Sequence, residues 1–184
     1  MVRAMPRPLE FVGGFRMPNA PPSVTWIPRI WGYFPVFRGT ASRRALRASE
    51  AVLAQGGVVG VFPEAGNWAT VLRPPRPGAA YLAVRTGAPI LPIGLDGLLD
   101  IFPRLRKLRH AHVTVRVGKP FGPFQATGRG RARRKKLEAI GHQIMRRIAE
   151  LIPPERRGHY SDDPAIRAAA RGTEIYPWAQ DPEG

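Results

Sequence analysis

The stretch VVGVFPEAGNWA, residues 58–69, carries an apolar run directly into a single carboxylate. Residues 58–62 are all apolar or glycine, a composition typical of a strand buried in a parallel sheet. Because Pro63 biases the backbone of Phe62 toward an extended conformation, we expect Glu64 just past the carboxyl end of this strand. Ligands bind at that edge of open α/β sheets. The stretch therefore predicts that Glu64 lies in a ligand-binding crevice.

The residues before this strand predict a parallel crossover unit. YFPVF, residues 33–37, is rich in the aromatic and branched side chains that strands favour. Residues 40–55 repeat apolar side chains at helical spacing, with Thr40 as a cap and Gly56 as the stop. Residues 9–15 form a further short candidate strand. Strand, helix and strand in this order indicate two parallel strands joined across one face of a sheet.

The carboxy-terminal half continues the alternation of helix and strand patterns. Pro77 fits the first turn of a helix at about 78–86, and Gly87 fits its end. Three patterns follow: an apolar strand APILPIGL (88–95) interrupted by Pro92, an alternating, half-exposed strand at 111–118, and an amphipathic helix at 131–152. These patterns predict a single α/β domain with a mixed, mostly parallel sheet flanked by helices.

We place that domain at residues 1–152, where the apolar periodicity ends. Residues 153–184 are polar and proline-rich and are predicted to be a tail with one small helix at 164–171. No internal repeat is found.

Composition limits the classes of function. The chain has 184 residues and no cysteine, which excludes disulfides, thiolate metal sites and thiol nucleophiles. Its formal charge is +16, and only four of its 29 basic residues are lysine, so arginine carries the excess. Such charge attracts nucleic acid, anionic membranes and phosphorylated small molecules alike. No run approaches the roughly 18 apolar residues that span a bilayer, so we expect any membrane contact to be at the surface.

Five positions sketch a binding pocket for a phosphate next to a hydroxyl group. Arg38 follows the strand candidate at 33–37 and would reach the edge beside Glu64 if the two strands were neighbours. Arg73 and Arg76 precede the helix that begins at Gly78, and a helix start with arginines is an anion site. Guanidinium and amide groups would take the phosphate, and the carboxylate would accept from the hydroxyl or orient an arginine. The alternative is that Glu64 caps a turn and Arg38 is a surface residue.

The same segments resemble a known family. YFPVFRG, VVGVFPEAG, RPGAAYLAVRTGAP and ILPIGL look like the second, third and fourth sequence blocks of the glycerolipid acyltransferases, the superfamily of lysophosphatidic acid and glycerol-3-phosphate acyltransferases. The resemblance covers roughly residues 9–120. It implies that Arg38 is the second-block arginine, that Glu64 helps to hold the phosphoglycerol end of the acceptor, and that Pro92 lies on the acyl-donor side.

The resemblance also implies a reaction and its partners. An acyl group would pass from acyl-CoA or acyl carrier protein, as co-substrate, to the hydroxyl of lysophosphatidic acid or a related glycerolipid. No cofactor or metal is implied. The expected setting is cytoplasmic and peripheral, at the inner face of an anionic membrane, in glycerophospholipid biosynthesis. Nucleic acid is not expected as a partner, because no helix-turn-helix, zinc or aromatic RNA-binding signature is visible.

Two departures from the family pattern concern the site. The family usually has a glycine directly after the glutamate, whereas this chain has Ala65 there and a glycine, Gly66, only at the next position. Polar residues often come next in the family, and this chain has Asn67 and Trp68 in their place. Arg73 and Arg76 are therefore the alternative phosphate contacts.

The larger departure is the absence of the family's first block, a histidine and an aspartate separated by four residues. None of the four histidines (110, 112, 142 and 159) has an acidic residue five positions on. The resemblance thus leaves no catalytic residue to name, since that histidine is the general base. We expect Met1 to lie inside a longer domain, so that the chain is incomplete at its amino terminus and has little or no transferase activity. The alternative is a non-catalytic phosphate- or lipid-binding relative.

Three other readings have weaker support. HAH at 110–112 would suit a metal, but no third ligand is apparent in the sequence. HYSDD at 159–163 holds a histidine, a serine and aspartates, but nearness in sequence is not a catalytic triad. A nucleic-acid-binding module rests on the charge alone.

Overall fold

The computed structural model describes residues 9–14, 33–36, 43–65, 69–173 and 175. Its strands are β1 (Leu9–Gly14), β2 (Tyr33–Val36), β3 (Val58–Val61), β4 (Ile93–Asp96) and β5 (Thr114–Val117). Its α-helices are α1 (Arg43–Ala54), α2 (Gly78–Thr86), α3 (Ile101–Arg106), α4 (Gly130–Ala149) and α5 (Pro164–Ala169). Short 3₁₀ turns cover Leu98–Asp100, Pro154–Arg156 and Gly158–Tyr160. The predicted α/β class is confirmed.

The amino-terminal sheet is parallel, with strand order β2-β1-β3. The strands predicted at 9–15, 33–37 and 58–62 are confirmed, as is the crossover through α1. However, β1 lies between β2 and β3, so the strands that precede Arg38 and Glu64 are not neighbours. Their carboxyl ends share one edge but are separated by two strand spacings, about 10 Å.

The two helices that follow these strands end as their sequences predict. Gly56 has φ 73 and stops α1, although Thr40, its predicted cap, lies outside the described residues. Pro77 is at the amino-terminal boundary of α2, and Gly87 (φ 67) is the left-handed residue at its end. The backbone N–H of Gly87 donates to the carbonyl of Ala83, which closes the last turn of α2.

Strands β4 and β5 form an antiparallel pair. Pro92 interrupts this ladder as predicted: Ile90 pairs with Phe121 on one side of it, and β4 begins on the other. The prediction of a half-exposed strand at 111–118 is wrong in two respects. Strand β5 is only four residues long, and all four are exposed, because no described element covers the valine side of the strand. Among the described residues the strands are mostly parallel, in two sheets.

The core is formed where α2 meets α4. Ala80, Ile140 and Ile144 form the buried centre, as expected from the apolar stripe of the long helix. Further apolar side chains pack around this centre: Ala79, Val84, Ile90, Phe121, Phe124, Ala126, Leu137 and Ile148. Helix α4 ends at Ala149, three residues earlier than predicted.

The residues after α4 pack against the loop that precedes α2. The N–H of Leu72 donates to the carbonyl of Arg156 (3.0 Å), and the N–H of His159 donates to the carbonyl of Leu72 (3.2 Å). Gly158 (φ 48) lies so close that a β-carbon there would meet the Leu72 carbonyl and Val71. The small helix predicted at 164–171 is confirmed as α5. A domain boundary at residue 152 stays a prediction.

Candidate functional site

Glu64 lies three residues past the end of β3, in a turn that follows the strand. The N–H of Ala65 donates to the carbonyl of Phe62 (3.0 Å), which closes the turn. Ala65 itself has φ 54, a left-handed conformation that favours glycine. The backbone thus explains why a glycine would suit the position after the glutamate.

The carboxylate of Glu64 is paired with Arg73. Its Oε2 accepts from the backbone N–H of Arg73 at 2.9 Å and lies 3.8 Å from the Nε of the same residue. The guanidinium also donates from Nη2 to the backbone carbonyl of Glu64 (3.2 Å). The side chain of Arg73 is only 2% exposed, whereas that of Glu64 is 24% exposed. Arg73 is therefore the buried counter-charge that fixes Glu64, which remains partly open to solvent.

Burial dominates the electrostatics of this pair. It raises the pKa of Glu64 above its ordinary value, against the opposing effects of the Arg73 N–H and the Arg73 charge. Burial likewise lowers the pKa of Arg73, which the Glu64 charge opposes and the nearby Arg76 charge reinforces. The carboxyl group is therefore held where its charged form is disfavoured, as in many ligand-binding or catalytic carboxyl groups.

Arg76 and Gly78 lie beside the pair. The N–H of Arg76 donates to the carbonyl of Pro63 (2.8 Å), so the loop before α2 folds back onto the turn that carries Glu64. Arg76 has an exposed side chain. Gly78 begins α2, and no atom lies within 4 Å of where its β-carbon would be. An exposed cation beside an open helix start is the arrangement expected of an anion site, although a phosphate contact there stays a prediction.

The other predicted site residues are placed as follows. Arg38 and Gly66 lie outside the described residues, so the Arg38 position relative to Glu64 stays a prediction. Pro92 precedes β4, and its carbonyl accepts from the N–H of Gly118 (2.9 Å). Its predicted place on the acyl-donor side stays a prediction.

Sequence reasoning missed the approach of the carboxy-terminal segment to this site. The Tyr160 hydroxyl lies 2.8 Å from Nδ1 of His142 on α4. Burial raises the pKa of this phenol; the Arg146 charge opposes that shift and the Glu64 charge adds to it. An open pocket of about 540 Å³ lies between α4 and this segment, with Pro74 in its wall. The spacing of His142 and Arg146 was a weak signal, since it puts both on one side of a helix.

The alternative histidine sites gain no support from these contacts. His110 and His112 are both exposed. The Ser161 hydroxyl accepts from the backbone N–H of Asp163 (3.2 Å), and Nε2 of His159 lies 3.4 Å from the Thr173 hydroxyl. Within the described ranges, no group of three or more histidine and carboxylate side chains is arranged to hold a metal ion.

Comparison with known proteins identifies the family of the chain. The family model described as Acyltransferase matches residues 1–96. The chain belongs to the acyltransferase family. The matched segment contains every candidate binding residue from Arg38 to Pro92, whereas His142 and Tyr160 lie beyond it.

One solved structure similar to this acyltransferase-family chain is the crystal structure of the 1-acyl-sn-glycerophosphate (LPA) acyltransferase, PlsC, from Thermotoga maritima. The two are 24% identical, with a TM-score of 0.43, and the match covers 73% of this chain. It covers 55% of the Thermotoga protein, so the chain spans about half the length of that protein. No curated protein sequence matches the chain significantly. Among the helices that the structure describes, none is sufficiently long and apolar to cross a bilayer.

Proposed function

We propose that this acyltransferase-family chain forms the acceptor-binding part of an enzyme of glycerophospholipid biosynthesis. The acceptor would be lysophosphatidic acid or a related glycerol phosphate, and the donor acyl-CoA or acyl carrier protein. One observation carries the proposal: the partly exposed carboxylate of Glu64 is held by the buried Arg73 just past the carboxyl end of β3. Both residues lie in the segment that matches the family. We propose that the protein acts at the inner face of the cytoplasmic membrane, to which it binds as a peripheral protein.

The geometry of Glu64 suggests how it would hold the acceptor. Among the described residues, Arg73 contacts the side chain of Glu64 through Oε2. This leaves Oε1, on a side chain that is 24% exposed, to accept a hydrogen bond from a glycerol hydroxyl. Arg73 would thus act as a positioning residue, because it orients the carboxylate from a buried place.

The phosphate would lie on the side of Arg76. This exposed guanidinium and the first N–H groups of α2, next to Gly78, would supply charge-assisted hydrogen bonds. Arg38, from the end of β2, would approach the same ligand from the other side of β1.

Acyl transfer also needs a general base for the acceptor hydroxyl. The four histidines lack the spacing to aspartate that the family uses. We therefore expect the 184-residue chain to bind the acceptor but to turn it over slowly or not at all. That same absence favours a second candidate function, a non-catalytic phosphate- or lipid-binding relative at the membrane surface.

Calorimetric titration of the purified chain with glycerol 3-phosphate, and with short-chain lysophosphatidic acid, tests the binding proposal. We expect Arg76→Gln to weaken affinity about tenfold, since it removes a hydrogen bond to a charged group. Arg171→Gln, which alters an exposed arginine near the carboxy terminus, is the matched control and should bind as the unmodified chain does. Equal affinity in all three proteins, or no binding at all, would refute the proposed acceptor site.

An acyl-transfer assay with acyl-CoA and with acyl carrier protein tests the missing base. The expected result is no turnover of lysophosphatidic acid above the uncatalysed rate. Robust turnover by the purified chain would show that another group serves as the base. Reading the genomic DNA upstream of the Met1 codon separates the two candidate functions. An open frame encoding the histidine and aspartate favours the enzyme, and an in-frame stop favours the binding protein.

A further inference from the structure

Residues 98–109 expose an unusual number of large apolar side chains. Leu98, Leu99, Phe102 and Leu105 are each between 44% and 56% exposed, and Leu108 is 97% exposed. Phe102 and Leu105 are one turn apart, so they lie on the same side of α3. These five side chains define what we call the apolar tip. Large exposed apolar patches mark interaction sites in soluble domains.

The backbone holds Leu108 in this exposed position. The N–H of Leu108 donates to the carbonyl of Leu105 (3.0 Å), and the N–H of Arg109 donates to the carbonyl of Arg104 (2.9 Å). These two bonds form a Schellman turn after α3, with Leu108 at the left-handed position (φ 52) that glycine normally takes. A leucine in this unfavourable conformation, with its side chain in solvent, does not stabilise the fold. This strain points to a role outside the folded chain.

Positive charge surrounds the apolar tip. Arg104, Arg106, Lys107 and Arg109 are all exposed, and Asp100 is the one acidic residue between 98 and 109. The segment therefore carries four positive charges and one negative, a net charge of +3. Apolar side chains interleaved with arginine and lysine are the pattern of segments that lie in the interface of anionic membranes.

We propose that the apolar tip inserts into an anionic lipid surface while its basic residues contact the headgroups. This deepens the proposed function, because it names the element that would bring the acceptor site to a membrane. Charge decides between the possible occupants. A second copy of this chain would bring a patch of the same positive sign, which is unfavourable. Nucleic acid would match the charge but would leave the leucines without an apolar partner.

Cosedimentation with lipid vesicles tests the proposal. The unmodified chain should bind vesicles that contain phosphatidylglycerol and should bind pure phosphatidylcholine much more weakly, with a clear loss in high salt. Leu108→Asn should reduce binding to the anionic vesicles about tenfold, because it removes one inserted leucine. Asparagine tolerates the left-handed conformation, so the thermal midpoint of this variant should stay unchanged or rise. The double variant Phe102→Ser/Leu105→Gln should bind still more weakly.

Two controls make the result decisive. Ile175→Asn alters another exposed apolar residue, 68% exposed, and should bind vesicles as the unmodified chain does. Arg131→Gln/Lys135→Gln removes charge from the basic start of α4 and should weaken binding less than Leu108→Asn does. The proposal is overturned if the unmodified chain ignores anionic vesicles, or if Leu108→Asn and Ile175→Asn bind equally. It is also overturned if the chain is a dimer without lipid and Leu108→Asn makes it monomeric. None of these readouts uses the acceptor, so failure here is distinct from failure of glycerol 3-phosphate binding.

Discussion

Ala65 shows how one backbone angle connects the sequence pattern to the site. Its φ of 54 puts a β-carbon where an L-residue is disfavoured by roughly 1–2 kcal/mol. The turn nevertheless keeps Glu64 against Arg73, because two hydrogen bonds and an ion pair join these residues. The contacts between Glu64 and Arg73 thus offset the backbone strain at Ala65.

Ala65→Gly is expected to stabilise the chain by roughly 0.5–1 kcal/mol, because relief of the left-handed strain exceeds the extra chain entropy of glycine. Urea unfolding measures this difference. Ala111→Gly is the matched control, since Ala111 also lies outside the helices and strands and is not among the residues with positive φ, and it should be neutral or destabilising. If Ala65→Gly destabilised the chain as much as the control does, Ala65 would not be strained.

The partly buried carboxyl group of Glu64 predicts that the stability of the chain depends on pH. Because burial raises the pKa of Glu64 above its ordinary value of 4.5, the folded chain binds a proton there more tightly than the unfolded chain does. The contribution of Glu64 to the free energy of unfolding is therefore largest at a pH below the ordinary pKa of 4.5. It falls as the pH rises through the raised pKa of the folded chain. Urea unfolding of the unmodified chain and of Glu64→Gln, from about pH 4 to about pH 7, isolates this contribution. A difference that grows with pH would mean that the pKa of Glu64 is lowered instead.

At the scale of elements, the sequence predicts local structure well where each pattern has one physical cause. Helix α2 follows from Pro77 and Gly87, which set its ends. Helix α4 follows from Ile140 and Ile144, which repeat on one face and are buried. Strand β5 shows the limit, because Val115 and Val117 alternate as if one side were covered, yet both are exposed. Alternation reports the direction of side chains and cannot show whether another element lies over them.

The carboxy-terminal segment comes closest to the loop before α2 at Gly158. A β-carbon at this position would meet the Leu72 carbonyl, so Gly158→Ala should cost roughly 2 kcal/mol or more and loosen the segment from the loop before α2. Gly172→Ala is the matched control, since Gly172 also has positive φ (84) but has no atom within 4 Å of the added carbon. The control should show only the backbone strain, about 1 kcal/mol. Equal losses in thermal unfolding would show that the contact with Leu72 does not hold the segment.

At the scale of the whole molecule, the candidate site could be predicted in part. The position of Glu64 after β3 follows from local patterns, but its pairing with Arg73 depends on how the loop before α2 folds back. The insertion of β1 between β2 and β3 also has no local signal, because a crossover through a helix can skip a strand. The approach of Tyr160 is likewise a contact between distant parts of the chain. Such contacts are set by packing, which sequence periodicity does not encode.

The central claim is that Arg38 and Glu64 hold one phosphorylated acceptor from two strand ends. A double-mutant cycle on glycerol 3-phosphate binding, measured by calorimetry, tests it most directly. We predict that Arg38→Gln and Glu64→Gln each weaken affinity about tenfold and that the double variant loses less than the sum, with a coupling of roughly 1 kcal/mol. Glu138→Gln, at an exposed position on α4, should leave affinity unchanged. Unchanged affinity in the Arg38→Gln and Glu64→Gln variants would contradict the account.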